Sequence, residues 1–160
     1  MAEYSYELKI PLARVAVVIG KGGNVKKEIE DATGTKLQID SAEGDVFITG
    51  EDALGLYTAR EVITTIGRGF NPELAKLLLR QDYASEQVEI EDYAKTKRHE
   101  IRVRGRVIGA EGKARKVIEE LTDCHVSVYG KTITIIGEIE SVGMCKRAIE
   151  KLLSGSQHSS

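Results

Sequence analysis

From Thr35 to Asp40 the chain alternates, with Leu37 and Ile39 on one side and Lys36, Gln38 and Asp40 on the other. That two-residue period is the mark of a half-buried strand. "DVFITG" (Asp45–Gly50) repeats the pattern after a turn-rich "DSAEGDV", which predicts a hairpin. Helical spacing follows over Glu51–Ile66 and precedes the hairpin over "NVKKEIEDATG". An earlier strand is expected at "YELKIP" (Tyr6–Pro11), with Leu8 and Ile10 on one face. The predicted order is strand, helix, glycine loop, helix, strand, turn, strand, helix.

The same order recurs. "VIGKGGNVKKEIEDATG" (Val18–Gly34) lies over "VIGAEGKARKVIEELTD" (Val107–Asp123) at a constant offset of 89, and eight of seventeen positions are identical. "TKLQID" then pairs with "CHVSVY" (Cys124–Tyr129), and "DVFITG" with "KTITIIG" (Lys131–Gly137). A final helix, Glu138–Leu153, matches Glu51–Ile66. The chain therefore contains two copies of one small module. For the second copy "QVEIED" (Gln87–Asp92) is the expected first strand, with Val88 and Ile90 inward. Lys95–Ile108 stands in place of the first helix, although "IRVRGRVIG" also alternates as a strand would. Between the copies, Asn71 and Pro72 start a connector helix with Leu74, Leu77 and Leu78 along one side. So apolar a connector is expected to pack between the modules. The expected boundaries are residues 1–70, 71–84 and 85–154, with a mobile tail over 155–160.

Composition adds limits. With 41% hydrophobic and 30% charged residues, the 160-residue chain reads as globular, and no apolar run approaches a membrane span. The start carries no basic, then apolar, export pattern. Cys124 and Cys145 stand apart from any CxxC pair, which predicts reduced, partly buried thiols; a disulfide is the less favoured reading. His99, His125 and His158 form no metal-ligand spacing with them, and no catalytic triad or carboxylate pair stands out. No cofactor or metal is expected. Charge is unevenly spread. Residues 1–94 carry 10 Lys and Arg against 17 Asp and Glu, whereas residues 95–160 carry 13 against 8. Nine of those basic residues lie within Lys95–Lys116, which fits a polyanionic partner or a solvated face balancing an acidic neighbour.

The glycine loops carry the chemistry. No G-x-x-x-x-G-K-[ST] is present, and the dinucleotide pattern begun at Gly20 and Gly22 fails at Val25. Both copies share V-I-G-x-x-G between helical segments. Two residues without Cβ atoms let a sugar–phosphate backbone approach the main chain, and the next helix turns its N–H groups toward it. Lys21 adds a positive charge, with Lys26 and Lys27 behind it.

"VIGKGG…KEIEDATGTKLQI" with its strand, turn, strand and helix resembles a K-homology (KH) domain of type I, βααββα. The resemblance implies an α+β fold of two such modules, each a three-stranded sheet packed on helices. It also implies a GXXG loop that clamps about four nucleotides of a single strand. The site it implies comprises Gly20, Lys21, Gly22, Gly23, Lys26 and Lys27, then Arg106, Gly109, Ala110, Glu111, Gly112, Lys113 and Arg115. Bases would lie on an aliphatic floor of Val18, Ile19, Ile29, Leu37 and Ile39, with Val107, Ile108, Ile118, Val126 and Val128 as counterparts. Core packing is the competing role for each. The same resemblance implies that base identity would be read from backbone and polar groups on the second strand of each sheet, near Gln38 or Ser127. Commoner KH modules carry Ile three residues after the second loop glycine; here Lys26 and Arg115 stand there. Glu111 puts a negative charge where phosphates would pass.

"IGRGF" (Ile66–Phe70), "VYGKTITIIG" (Val128–Gly137) and "LLSGSQH" (Leu152–His158) narrow the resemblance to the archaeal partner-of-Nob family. That family implies a non-enzymatic, cytoplasmic adaptor for the 3′ region of small-subunit rRNA in ribosome biogenesis. Its implied partners are a Nob-type endonuclease and the alpha subunit of translation initiation factor two. A protein-interaction scaffold and a general single-stranded nucleic-acid binder are the alternatives.

Overall fold

Each copy of the repeat builds its own antiparallel sheet, and the computed structural model describes residues 3–155. Residues 156–160, most of the expected tail, lie outside the described residues. The chain divides into two compact units, Met1–Gln81 and Asp82–Ser160.

The first unit runs β1 (Tyr4–Lys9), α1 (Leu12–Ile19), α2 (Asn24–Thr33), β2 (Thr35–Asp40), β3 (Asp45–Gly50), α3 (Ala53–Gly67) and the single turn α4 (Pro72–Ala75). The strand order is β1-β3-β2, both pairs antiparallel, with Tyr6 and Leu37 flanking Ile48. Residues paired across strands share a face, so Leu37, Val46 and Ile48 turn together toward the helices and are buried. Val18, Ile29, Ile63 and Ile66 complete that core from α1, α2 and α3. Asp52 caps α3 by accepting from the Leu54 amide at 3.2 Å.

The second unit repeats the order as β4 (Tyr83–Glu89), α5 (Lys97–Ile108), α6 (Lys113–Thr122), β5 (His125–Tyr129), β6 (Thr132–Glu138) and α7 (Ile139–Leu153). Its strand order is β4-β6-β5. Val103, Val107, Ile133, Ile135, Cys145 and Ile149 lie at the centre of its core. The copies also agree in detail. Thr33 and Thr122 each donate to the carbonyl four residues back, at 2.6 Å. Gly34 and Asp123 then end the second helix in the left-handed conformation, at φ 66° and 56°. The α+β, βααββα expectation holds for both units.

Several local expectations shift. β1 is displaced toward the N-terminus, and Ile10 leaves the strand to donate its amide to Gly44 O at 2.9 Å. β4 begins at Tyr83, and Ile90–Asp92 is a 3-10 turn that still delivers the Ile90 side chain to the core. The alternation of "IRVRGRVIG" is not a strand. Thr96 accepts from the His99 amide and starts a helix whose four-residue spacing buries Val103 and Val107 while Ile101 stays exposed. In the connector, Asn71 accepts from the Leu74 amide at 2.9 Å as expected, but Ala75 and Leu78 are the buried residues. Leu74 and Leu77 are half-buried, and the connector falls within the first unit. Both cysteines are free and buried, and burial pushes the Cys145 thiol up to about 11. Among the described residues no helix is long and apolar enough to cross a membrane.

Candidate nucleic-acid interface

α1 ends where Gly20 donates its amide to Ala16 O at 2.8 Å, and α5 ends the same way, Gly109 to Gly105 O at 2.8 Å. Gly20 has φ 79° and ψ 173°; Gly109 has φ 75° and ψ 174°. Next come Gly22 (φ 61°) and Gly23 (φ 80°) in one loop, Glu111 (φ 56°) and Gly112 (φ 75°) in the other. Two different sequences thus fold into one loop shape.

Its glycines do two jobs. A Cβ on Gly20 would sit 2.7 Å from the Val25 amide nitrogen, and one on Gly109 2.6 Å from that of Ala114. The first glycine of each loop therefore lets it close on the following helix. Val25 is buried and Ala114 half-buried there. Around Gly22, Gly23 and Gly112 a Cβ would find nothing within 4 Å. This stretch of main chain is bare toward solvent, immediately before α2 and α6, neither of which has an acid in its first turn. An extended anion can lie against it and accept from the helix amides.

The expected side chains are distributed unequally. Lys21, Lys27, Ala110, Glu111 and Lys113 are exposed at or beside the loops. Lys27 lies 3.9 Å from Asp31 with both side chains in solvent, a pair too exposed to neutralise it. Arg106 is turned to the end of α7, where it donates to Leu152 O at 3.4 Å. The aliphatic floor splits in the same way in each copy. Val18, Ile29 and Leu37 are core, as are Val107, Ile118 and Val126, whereas Ile19, Ile39, Ile108 and Val128 are half-buried. Those four remain for a ligand. Gln38 is exposed on the opposite face of its sheet, paired with Phe47.

Lys26 and Arg115 are drawn into a second repeated device. Lys26 lies 3.7 Å from Glu30, and Arg115 lies 3.3 Å from Glu119. Glu30 accepts the Leu37 amide at 2.8 Å, and Glu119 accepts the Val126 amide at 2.8 Å. Arg115 also donates to Val126 O at 3.0 Å. Glu30 and Glu119 were absent from the residues singled out in the sequence. The signal was there: they are identical at the offset of 89, each four residues after a cation.

Residues 84–160 match the family described as a eukaryotic type KH domain (KH-domain type I), and residues 5–65 match the KH domain. A KH domain-containing protein of Methanocaldococcus jannaschii is 52% identical over 155 residues, covering 94% of this chain and 68% of its own. The chain belongs to the tandem KH, partner-of-Nob-like family. Solved structures agree. Dim2p from Pyrococcus horikoshii is 46% identical, with a TM-score of 0.87 over 97% of this chain and 93% of that one. The P. horikoshii chain solved as an a/eIF2alpha–aDim2p–rRNA complex is also 46% identical, with a TM-score of 0.88 over 98% of this chain and 88% of that one. A protein of Aeropyrum pernix is 34% identical, with a TM-score of 0.91 over 99% of this chain and 86% of that one. KH proteins of this kind bind RNA and are not enzymes.

In a KH protein the second loop carries an evident cost. Glu111 holds a left-handed backbone that suits glycine and places a carboxylate beside the bare main chain. Glu111→Gly is expected to tighten RNA binding about fivefold, on the basis of about 1 kcal/mol for one surface charge. Stability should move by no more than about 1 kcal/mol, because strain relief and added chain entropy offset each other. Anisotropy titration and urea unfolding check the two halves, and weaker binding would mean that Glu111 holds the ligand.

Proposed function

We propose that this chain is an adaptor of small-subunit ribosome biogenesis that grips single-stranded RNA near the 3′ end of small-subunit rRNA. The grip is made by Gly20–Gly23 and Gly109–Gly112. Family membership places it among RNA-binding proteins of ribosome biogenesis. The observation that carries the finer reading is the twice-built loop whose main chain is left bare ahead of a helix. The P. horikoshii relative solved with rRNA and a/eIF2alpha supports the choice of ligand and of the initiation-factor alpha subunit as a partner. A Nob-type endonuclease is the second partner in this reading, and the cytoplasm its place of action.

The test is an anisotropy titration with the 3′-terminal sequence of small-subunit rRNA, a scrambled RNA and the matching DNA, each at two salt concentrations. The rRNA end should bind best, with log K falling by about 0.7 per phosphate contacted for each decade of salt. Equal, salt-sensitive binding to all three would make the chain a general single-strand binder. No binding would leave a protein scaffold.

A further inference from the structure

The two copies differ in what covers the outer side of their last two helices. In the first unit the connector does so. Pro72–Ala75 and the 3-10 turn Lys76–Leu79 pack on α3, and the latter packs on α2 as well. Ala75 and Leu78 are buried there, and Lys76 Nζ lies 3.1 Å from Glu28. With this cover in place α3 buries Val62, Thr65 and Ile66 beside its central Ala59 and Ile63.

The second unit has the same helices without the cover. α3 and α7 are both 15 residues long, so Ala59 and Ile63 correspond to Cys145 and Ile149, likewise fully buried. Val62 and Ile66 correspond to Ala148 and Leu152, which are only half-buried, and Thr65 to Lys151, which is exposed. On α6 the counterparts of Glu28 and Ala32 at the offset of 89 are Val117 and Leu121, 51% and 76% exposed. Met144, 47% exposed, stands one turn before Ala148 on α7. α6 and α7 pack on each other, so these side chains border one valley. An apolar strip of this kind, at a place the other copy fills with its own chain, is suited to receive a helical segment.

Residues 154–160 follow α7 as the connector follows α3, but they are Ser, Gly, Gln and His and supply no apolar pair like Ala75 and Leu78. The exposed charges of α6 and α7 are Lys113, Lys116, Arg147 and Lys151 against Glu120 and Glu140, so the rim is cationic. We propose that the α6–α7 valley docks a short helical segment of another protein, apolar on one side and acidic at its flanks. The inference goes beyond the RNA-binding reading and does not depend on it, because none of the apolar valley residues belongs to the glycine loops.

The probe is a synthetic peptide with the sequence of residues 70–81, in its own form and with Lys76→Glu, titrated into the full chain and followed by amide NMR shifts. The chain's own connector, tethered at high effective concentration, keeps the first unit's valley closed to it. Saturable shifts confined to α6 and α7 are expected, centred on Val117, Leu121, Met144 and Leu152. The Lys76→Glu peptide should bind about fivefold tighter, because residue 76 then meets Val117 and a cationic rim instead of Glu28. A Leu121→Ser, Met144→Ser variant should bind the peptide about tenfold more weakly, as the loss of apolar anchors does. Both side chains are exposed, so its circular dichroism and its RNA affinity should match those of the unaltered chain. Four results overturn the proposal: no saturable shift on α6 and α7, equal binding by the two peptides, undiminished binding by the variant, or shifts of the same amides without any peptide. Shifts on diluting the chain alone would assign the valley to a second copy, and shifts on adding the rRNA 3′ fragment would assign it to RNA.

Discussion

A protein carrying Lys21→Asp and Gly22→Asp should lose RNA affinity by about 100- to 200-fold near 0.1 M salt and remain folded. The exchange moves the first loop three charge units toward negative, and each unit is worth about 1 kcal/mol at contact distance in water. The fold should tolerate it for two reasons. A side chain on residue 22 meets nothing within 4 Å. Aspartate also accepts the left-handed backbone required there, as Asp123 does at φ 56° in the second unit. Lys21→Ala with Gly22→Asn makes the same backbone demand without the repulsion, and should lose about tenfold at most. Anisotropy titration and a thermal melt give both quantities. A folded double-aspartate variant with unchanged affinity would show that RNA does not pass the first loop, leaving binding to the Gly109–Gly112 loop alone.

The sequence made the architecture legible because the repeat supplied a second reading of every element. A helix, a glycine loop and a strand that recur at one offset cannot all be accidents of composition. Thr33 with Thr122, and Gly34 with Asp123, show how far the copies agree in structure even where the residues differ. Features that depend on which face of an element turns inward were harder to read. Ile101, Val103 and Val107 serve a strand or a helix equally in the one-dimensional pattern, and the cap at Thr96 decides it. In the connector, Leu74 is larger than Ala75, yet the helix start at Asn71 turns Ala75 and Leu78 inward. Arg106 sits in a basic run that reads as a phosphate site, whereas the helix phase points it to the end of α7. Glu30 and Glu119 looked like ordinary surface carboxylates, because their meaning lies in strand amides seven residues further on.

The glycines of one loop should separate cleanly into those that build the fold and those that leave room for a ligand. Gly20→Ala is expected to cost about 3–5 kcal/mol of stability. Its φ 79° and ψ 173° fall in a region essentially closed to other residues, worth about 1–3 kcal/mol. The new methyl would also be driven to 2.7 Å from the Val25 nitrogen, an overpacking that costs a further 1–3 kcal/mol or so. Gly22→Ala faces open space and an ordinary left-handed backbone, so strain of about 1–2 kcal/mol is partly offset by lost freedom in the unfolded chain. Its net cost should be about 1 kcal/mol. A module of this size has only a few kcal/mol to lose, so Gly20→Ala should unfold an appreciable share of the first unit at 37 °C, a loss that a total stability of about 5–15 kcal/mol for the whole chain makes visible. Urea unfolding of the two single variants measures the difference. If Gly20→Ala costs no more than Gly22→Ala, the tight approach of the loop to α2 is not what holds the corner. RNA affinity per folded molecule should then rank the variants in the opposite order, because the methyl on residue 22 occupies the space through which the sugar–phosphate chain approaches and the methyl on residue 20 does not.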